Sequence, residues 1–416
     1  MNVQSNPFLF ESAALSHLPG FGAVRSTQLA GYLSVGDSAG GWLYFCFSEA
    51  GDHPEQAPLL VWINGAPEWS ALDALLDEHG PYLLDPSGRV YSNPFGWHHH
   101  VNLLIIEQPL GHGLSFTTHP RYLPESHDEA SLQLYHALQE FLLRWPRYRE
   151  RDCYLFGNAA ATHTIARLAH RVLDGNSGGQ PQISLKGLGL GNASWRPTSS
   201  CQPYRLRVSA PADQSGRTEP RASRTGRVQP GPRLSHRLAA AIGGPDSGRD
   251  RALYPAMLRP RSARYPPSAS EAVQSAERIP EKASVQQALH IDPRSNNELQ
   301  PHSSLMTEAI WQESSSHLLP TLLDQLKVLF FHGECCMTGN YLGLDAWFNT
   351  QSWSQADAFR RKSGRPGALW PGRRPDPQPW QSQPDHHPER RLRVARDQPA
   401  AAQAMLRDFL AGDAPQ

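Results

Sequence analysis

The chain has 416 residues, enough for one large α/β domain or two smaller ones, each with a sizeable hydrophobic core. Its 39 Lys and Arg residues balance its 39 Asp and Glu residues, so no net charge attracts a nucleic acid or an anionic membrane, and neither is predicted as a partner. Five cysteines at irregular spacings exclude a disulfide framework and a zinc finger, so we predict no cofactor and no metal.

The N-terminal segment lacks the basic residues and the apolar core of a secretory signal. No stretch of the sequence reaches the roughly 18 apolar residues that a membrane-spanning helix needs. The sequence therefore predicts a cytoplasmic protein that does not enter a membrane.

The first half of the chain alternates between predicted strands and predicted helices. Short apolar runs, bounded by polar or glycine-containing turns, predict buried strands at 42–47, 58–63, 101–106 and 153–156. Apolar residues at helical spacing predict an amphipathic helix at 128–145. A short helix is predicted at 71–76, near a Gly/Pro turn, and a third helix at 165–173, after the tight turn that follows the strand at 153–156. This alternation favours an α/β fold with a mostly parallel central sheet and helices on both faces.

The pattern stops abruptly after Trp195. Residues 196–282 are rich in Arg, Ser, Pro and Gly, and their apolar residues follow neither the strand nor the helix period, so we predict a poorly ordered insert. Patterned sequence returns in 283–416, with predicted helices at 283–289 and 400–410, a helix-like stretch that ends at Leu326, and a predicted strand at 328–331. Within this part, 360–391 is again unpatterned. We therefore divide the chain into 1–195, 196–282 and 283–416.

Five separate segments resemble motifs of the serine carboxypeptidase family, in the order in which the family has them. They are Trp62–Pro67 (WINGAP), Glu78–Pro81 (EHGP), the run from Ser92 to Phe116, Gly333–Gly343 (GECCMTGNYLG) and Asp397–Pro399 (DQP). The resemblance implies an α/β-hydrolase fold whose two halves are 1–195 and 283–416, with the insert 196–282 at the cap position. It also implies serine-type cleavage of C-terminal peptide bonds, in a family whose members are typically secreted or lie in vacuoles and lysosomes.

The same resemblance implies a Ser, Asp, His triad in that chain order. The family's nucleophile stands in G-E-S-Y-A-G, on the sharp turn after a strand. The corresponding turn here begins at Gly157 and has Ala159 at the nucleophile position. Cys336 stands at the position of the acid and Leu392 at that of the histidine. A methyl group cannot attack a carbonyl carbon, so we predict a catalytically inactive protein, a pseudoenzyme.

The binding residues of the family are better retained. Backbone N–H groups form the oxyanion hole of this class, and Ala66 and Ala160 stand at those positions. By the resemblance, the equivalents of the substrate-binding residues are Trp62, Asn64, Gly65, Glu78 and Asn158, of which Asn158 replaces a family Glu. We therefore predict a residual cleft for a peptide or small carboxylate ligand, and a protein partner is a further hypothesis.

Two alternatives remain open. The first is an active carboxypeptidase or acyltransferase with relocated residues. Its candidates are the hydroxyls of Ser70, Ser115 and Thr162, the bases His112, His163, His386 and His387, the acid Glu334 and the thiols of Cys335 and Cys336. The second is a degenerate or wrongly assembled gene product, because the pattern is lost at Arg196 and Arg360 and recovers after each. The run from His98 to His100 is interpreted as a solvated turn.

Overall fold

A computed structural model describes residues 13–24, 26–35, 40–64, 70–85, 89–193, 195, 283–296, 313–332, 341–362 and 394–411. These residues all belong to one compact unit, which comprises 1–202 and 274–416. The predicted insert 196–282 lies outside the described residues.

Thirteen strands occur in the described part of the chain. They are β1 (Ala13–Ala14), β2 (His17–Leu18), β3 (Gly22–Ala23), β4 (Gln28–Ser34), β5 (Gly41–Ser48), β6 (Leu59–Ile63), β7 (Tyr82–Leu84), β8 (Val90–Ser92), β9 (Asn102–Ile106), β10 (Phe116–Thr117), β11 (Cys153–Asn158), β12 (Leu185–Gly191) and β13 (Lys327–Phe331). Nine of them form one sheet in the order β1-β4-β5-β9-β6-β11-β12-β13, with β10 paired to β5. β9, β6, β11, β12 and β13 pair in parallel, whereas β4 and β5 are antiparallel to their neighbours. The predicted, mostly parallel sheet is confirmed.

Nine α-helices accompany the sheet in the described part of the chain. They are α1 (Ala71–Asp73, which continues as the π-helical turn Ala74–Glu78), α2 (His127–Arg144), α3 (Ala161–Ser177), α4 (Ala283–Ala288), α5 (Leu319–Gln325), α6 (Tyr341–Phe348), α7 (Ala356–Lys362), α8 (Val394–Asp397) and α9 (Pro399–Ala411). Ser126 begins α2, because its Oγ accepts a hydrogen bond from the Glu129 backbone N–H at 3.1 Å. α7 includes the first three residues of the predicted unpatterned stretch 360–391; residues 363–391 lie outside the described part.

The side chains of the sheet alternate between two hydrophobic cores, one on each face. In β6, Leu60 and Trp62 belong to one core, and Leu59, Val61 and Ile63 belong to the other. The first core also contains Leu406 and Phe409 of α9, and the second contains the buried faces of α2 and α3. Both faces of the parallel strands are therefore covered, as the fold class requires.

Four strands of the sheet were not predicted: the two-residue strands β1 and β10, and the longer strands β4 and β12. The sequences of β4 and β12, QLAGYLS and LKGLGLG, contain glycines that interrupt the apolar pattern that marks a strand. In β12 the glycines have a packing reason. A Cβ at Gly189 would lie 2.3 Å from the ring of Phe156 in β11.

Gly157 makes the tightest backbone contact beside the end of β11. It pairs with Ile63 of β6, and a Cβ added at Gly157 would lie 2.4 Å from the Ile63 carbonyl oxygen and 2.6 Å from Ile165 Cδ1. No rotamer can relieve a clash with a backbone oxygen, so β6 and β11 approach each other only because residue 157 is glycine.

Gly157→Ala should therefore lower the free energy of unfolding by about 1–3 kcal/mol, as expected for overpacking of a close contact. Gly51→Ala is the matched control, since a Cβ there meets no atom closer than 3.6 Å. We expect that control to change stability by less than about 0.5 kcal/mol. Urea unfolding of both variants measures the difference, and equal stabilities would contradict the packing argument.

Candidate active-site cleft

The turn Asn158–Ala160, here called the elbow, joins β11 to α3 at the carboxyl edge of the sheet. Ala159 has a φ of 47°, in the left-handed region, whereas Ala160 has helical angles of −62° and −29°. The Ala159 N–H donates to the Gly191 carbonyl at 2.8 Å, and the Ala159 carbonyl accepts from the Thr162 N–H at 3.2 Å. Ala159 thus holds the strained backbone conformation of a strand–turn–helix elbow, with a methyl group as its side chain.

The elbow lies at the N-terminus of α3. No side chain caps this helix, and Ala159 and Ala160 are only half-buried. The first N–H groups of an uncapped helix carry partial positive charge, which favours a bound oxygen atom. Ala160 lies at the start of α3, next to the apex of the elbow, and its role as an oxyanion-hole donor stays a prediction. Its predicted companion Ala66 lies outside the described residues.

A small pocket with a cavity volume of about 10 Å³ adjoins the elbow. We call it the tryptophan pocket; it is lined by Trp62, Glu78, Trp97, Asn158, Phe331, Val394, Ala395, Ala402 and Met405. Three of the predicted substrate-binding residues, Trp62, Glu78 and Asn158, meet there. Trp97, Phe331 and the residues of α8 and α9 had not been predicted, and the only signal for the latter was the nearby Asp397–Pro399 motif.

The polar side chains of this pocket are almost completely buried. Glu78 and Asn158 are each 3% exposed, and Asn158 Oδ1 has no hydrogen-bond partner. The fully buried ring of His79 lies between Trp62 and Trp97, with its Nδ1 3.8 Å from Glu78 Oε2. Trp97 Nε1, a donor in the same lining, is also buried without a hydrogen-bond partner, so the pocket combines an aromatic wall with both donors and acceptors.

Asn64 has a different position from the other predicted binding residues. Its carboxamide accepts a hydrogen bond from Trp62 Nε1 and donates one to the Ser70 carbonyl. It is 3% exposed and fixes the orientation of Trp62 in the pocket wall. The remaining predicted site residues, Gly65, Cys336 and Leu392, lie outside the described residues, as do Glu334, Cys335, His386 and His387.

The hydroxyls proposed as relocated nucleophiles make hydrogen bonds within the fold. Thr162 Oγ1 donates to the Ala159 carbonyl at 2.6 Å, and Ser115 Oγ donates to the Glu107 carbonyl at 2.7 Å. Both residues are fully buried. Ser70 is half-buried, and its Oγ accepts from the Leu72 N–H at 3.2 Å in a capping box with Asp73. Each hydroxyl therefore has a structural explanation.

The proposed bases are also held by the fold. His163 Nδ1 accepts from the Ser315 N–H at 3.2 Å, and its ring packs against Trp195 with centroids 4.9 Å apart. His112 lies 4.0 Å from Glu107 and is 8% exposed. Neither geometry positions an imidazole to take a proton from a hydroxyl in the cleft.

A histidine and a hydroxyl that the sequence analysis did not pair meet at His127 and Thr164. His127 Nδ1 lies 2.8 Å from Thr164 Oγ1, and both residues are buried. Burial lowers the pKa of His127 to about 3, with the neighbouring His163 and Arg167 adding to the shift. A neutral imidazole that solvent cannot reach acts here as a packing and hydrogen-bonding group.

The histidine run before β9 is not a fully solvated turn. Burial, together with His99 and His100, lowers the pKa of His98 to about 3. The centroids of the His98 and His99 rings lie 4.2 Å apart, with the rings tilted by 37°. Within the described ranges, no group of three His, Cys, Asp or Glu side chains is placed to hold a metal ion.

Glu107, the residue after β9, accepts hydrogen bonds from the backbone of two separate segments. One carboxyl oxygen accepts from the Ala71 N–H at 3.2 Å, and the other accepts from the Leu114 N–H at 2.8 Å. Burial raises the pKa of Glu107 to about 7, although hydrogen bonds from Ser70 and from these two N–H groups oppose the rise. The fold therefore favours the protonated form of this carboxyl.

The Glu107 pKa predicts a loss of stability as pH rises. The folded-state pKa of Glu107 lies above the usual value of 4.5. The contribution of Glu107 to the free energy of unfolding is therefore fully present below pH 4.5 and is lost as pH rises through 7. In the wild-type protein, Glu107 should make the free energy of unfolding lower at pH 8 than at pH 4.5 by on the order of 2–3 kcal/mol, and we expect Glu107→Gln to remove this difference. Urea unfolding at both pH values tests this. Glu55→Gln, at a side chain 61% exposed, should retain the wild-type difference.

The backbone strain at the elbow predicts opposite effects for two neighbouring substitutions. Ala159→Gly relieves the left-handed conformation and should raise the free energy of unfolding by about 0.5–1 kcal/mol. Ala160→Gly, at a residue with helical angles, should lower it by a similar amount of about 0.5–1 kcal/mol. Parallel denaturant titrations measure both changes. A decrease in the free energy of unfolding for both substitutions would show that Ala159 is not strained.

Comparison with known proteins identifies the family. A model of the serine carboxypeptidase family matches residues 19–210 and 262–369. The mouse probable serine carboxypeptidase CPVL is 34% identical over 179 residues, 43% of this chain and 37% of that protein. Serine carboxypeptidase 24 of Arabidopsis thaliana is 36% identical over 190 residues, 44% of this chain and 40% of that protein. The chain therefore matches less than half the length of either relative.

A longer match is with serine carboxypeptidase S10 family member 2 of Dictyostelium discoideum, 28% identical over 406 residues, 89% of this chain and 70% of that protein. Among solved structures, Kex1Δp, a prohormone-processing carboxypeptidase from Saccharomyces cerevisiae, superposes with a TM-score of 0.65 at 17% identity, covering 93% of this chain and 92% of that one.

No helix in the described ranges has both the length and the apolar composition for crossing a bilayer. The predicted cytoplasmic location stays a prediction. The chain belongs to the serine carboxypeptidase family and has the α/β-hydrolase fold.

Proposed function

We propose that this chain is a serine carboxypeptidase-like protein without hydrolytic activity, which binds the C-terminal end of a peptide in the cleft beside the elbow. The observation that carries the proposal is the position of Ala159. It occupies the apex of the turn between β11 and α3, where this class of hydrolase presents its nucleophile. A methyl group there cannot form an acyl intermediate.

The surroundings of Ala159 support inactivity. The nearest hydroxyl in sequence, that of Thr162, is 0% exposed and donates to the Ala159 carbonyl. The histidines at 112 and 163 are held by contacts with Glu107 and Ser315. A relocated nucleophile would need an accessible hydroxyl or thiol within hydrogen-bond reach of a base. Ser115 and Thr162 do not meet this requirement.

The cleft supports retained binding. The tryptophan pocket keeps an aromatic wall and two polar side chains, Glu78 and Asn158, next to the half-buried elbow. Apolar pockets with a few convergent polar groups are typical ligand sites. Asn64 stabilises that wall through its hydrogen bond with Trp62. A peptide end, with its apolar side chain and polar terminal group, matches this composition.

Fluorophosphonate labelling and peptide turnover test the proposal. A fluorophosphonate forms a covalent adduct only with an activated hydroxyl, so we expect intact-mass spectrometry to show no adduct on the wild-type protein and no release of C-terminal residues from N-blocked dipeptides. Ala159→Ser should also remain inactive, because Leu392 stands at the position of the base.

The outcomes separate the parts of the proposal. Turnover or an adduct in the wild-type protein would overturn the claim of inactivity, and the labelled residue would identify the nucleophile. Turnover in Ala159→Ser alone would leave the position of Ala159 correct and show that a base is present. Circular dichroism of each preparation confirms that the variants are folded.

A further inference from the structure

The tryptophan pocket is a cavity of about 10 Å³, and two of the side chains that line it have a polar atom without a hydrogen-bond partner. The indole N–H of Trp97 is a donor, and Oδ1 of Asn158 is an acceptor. Trp97 is 1% exposed and Asn158 is 3% exposed, so bulk solvent does not hydrate either group. One small cavity therefore borders a buried donor and a buried acceptor, each lacking the hydrogen bond that buried polar groups normally make.

We propose that this cavity binds a single water molecule, which accepts a hydrogen bond from Trp97 Nε1–H and donates one to Asn158 Oδ1. A buried water needs about 10–15 Å³ of space and two to four polar partners. The cavity has the volume for one water, and Glu78 in the same lining carries a carboxyl group that can accept from the second O–H of the water. This inference holds whether or not a peptide end binds beside the elbow.

The indole of Trp97 is fixed by the rings around it. Its centroid lies 5.5 Å from that of Trp62, 4.3 Å from that of His79 and 5.9 Å from that of Phe156. Trp62 is itself held by the hydrogen bond from its Nε1 to Asn64. In a close-packed wall of this kind, an indole cannot turn its N–H toward another acceptor.

Asn158 is fixed by the sheet. It pairs with Gly191 in the ladder between β11 and β12, and a Cβ added at Gly191 would lie 3.1 Å from Asn158 Cβ. The next residue, Ala159, donates its N–H to the Gly191 carbonyl at 2.8 Å. Since neither Asn158 nor Trp97 can shift to bond the other directly, a molecule that both donates and accepts is needed to join them. Water has that property, and a bridging water is nearly as favourable as a direct hydrogen bond.

Other occupants fit this cavity less well. A cation would face the partial positive charge of the Trp97 N–H, and among the residues that the structure describes, no trio of His, Cys, Asp or Glu side chains is placed to hold a metal ion. A carboxylate or carboxamide group has several non-hydrogen atoms and exceeds the volume of one water. The peptide end of the proposed function therefore lies beside the elbow and outside this cavity.

A high-resolution crystal structure of the full chain tests the inference. We expect a water oxygen about 2.7–3.2 Å from both Trp97 Nε1 and Asn158 Oδ1. Asn158→Leu keeps nearly the same side-chain shape without a polar atom and should lose the water. Asn158→Asp is the matched control, because it keeps an acceptor oxygen at the same place and should keep the water.

A measurement in solution supports the crystallographic one. We expect a nuclear Overhauser effect between a long-lived water and the indole N–H of Trp97, whose signal is identified by its loss in Trp97→Phe. The same effect should disappear in Asn158→Leu and persist in Asn158→Asp. Absence of both the density and the effect in the wild-type protein overturns the inference. A direct hydrogen bond between Trp97 and Asn158, or a water that remains in Asn158→Leu, overturns it as well.

Discussion

The close parallel pairing of β6 with β11 is the constraint on which the elbow and the tryptophan pocket depend. Gly157 lies opposite Ile63, and any side chain at 157 would strike the Ile63 carbonyl. Because the two strands run in parallel, their carboxyl ends meet at one edge of the sheet. Trp62 and Asn158 are therefore held next to each other by backbone hydrogen bonds, and the cleft is built on rigid elements rather than on loops.

The elbow shows that a catalytic backbone shape and catalytic chemistry are separable. Ala159 keeps a left-handed conformation that costs free energy, yet its methyl group cannot act as a nucleophile. The surrounding hydrogen bonds to Gly191 and Thr162 hold the turn without help from the side chain at 159. The fold thus explains why the cleft persists, whereas activity depends on side chains that the fold does not specify.

Burial governs the charged and titratable groups around this cleft. Burial raises the pKa of Glu107 to about 7, although its carboxyl group accepts hydrogen bonds from the backbone N–H groups of Ala71 and Leu114. Asn158 stands where the family has a carboxylic acid, so the pocket lining has one carboxyl group where the family has two. The apolar wall of Trp62 and Trp97 borders these two buried polar side chains, Glu78 and Asn158.

The sequence alone determined the fold class, because apolar runs such as 42–47 and 101–106 reappear as β5 and β9, and the helix predicted at 128–145 is α2. It also placed Ala159 directly after a strand, where the resembling family motif has its nucleophile. Only the tertiary structure decided which residues share the pocket. Phe331, Ala402 and Met405 reach it from distant parts of the chain, and local periodicity carries no information about such contacts. The open acceptor of Asn158 likewise became visible only in the fold, because a missing partner depends on every neighbour in space.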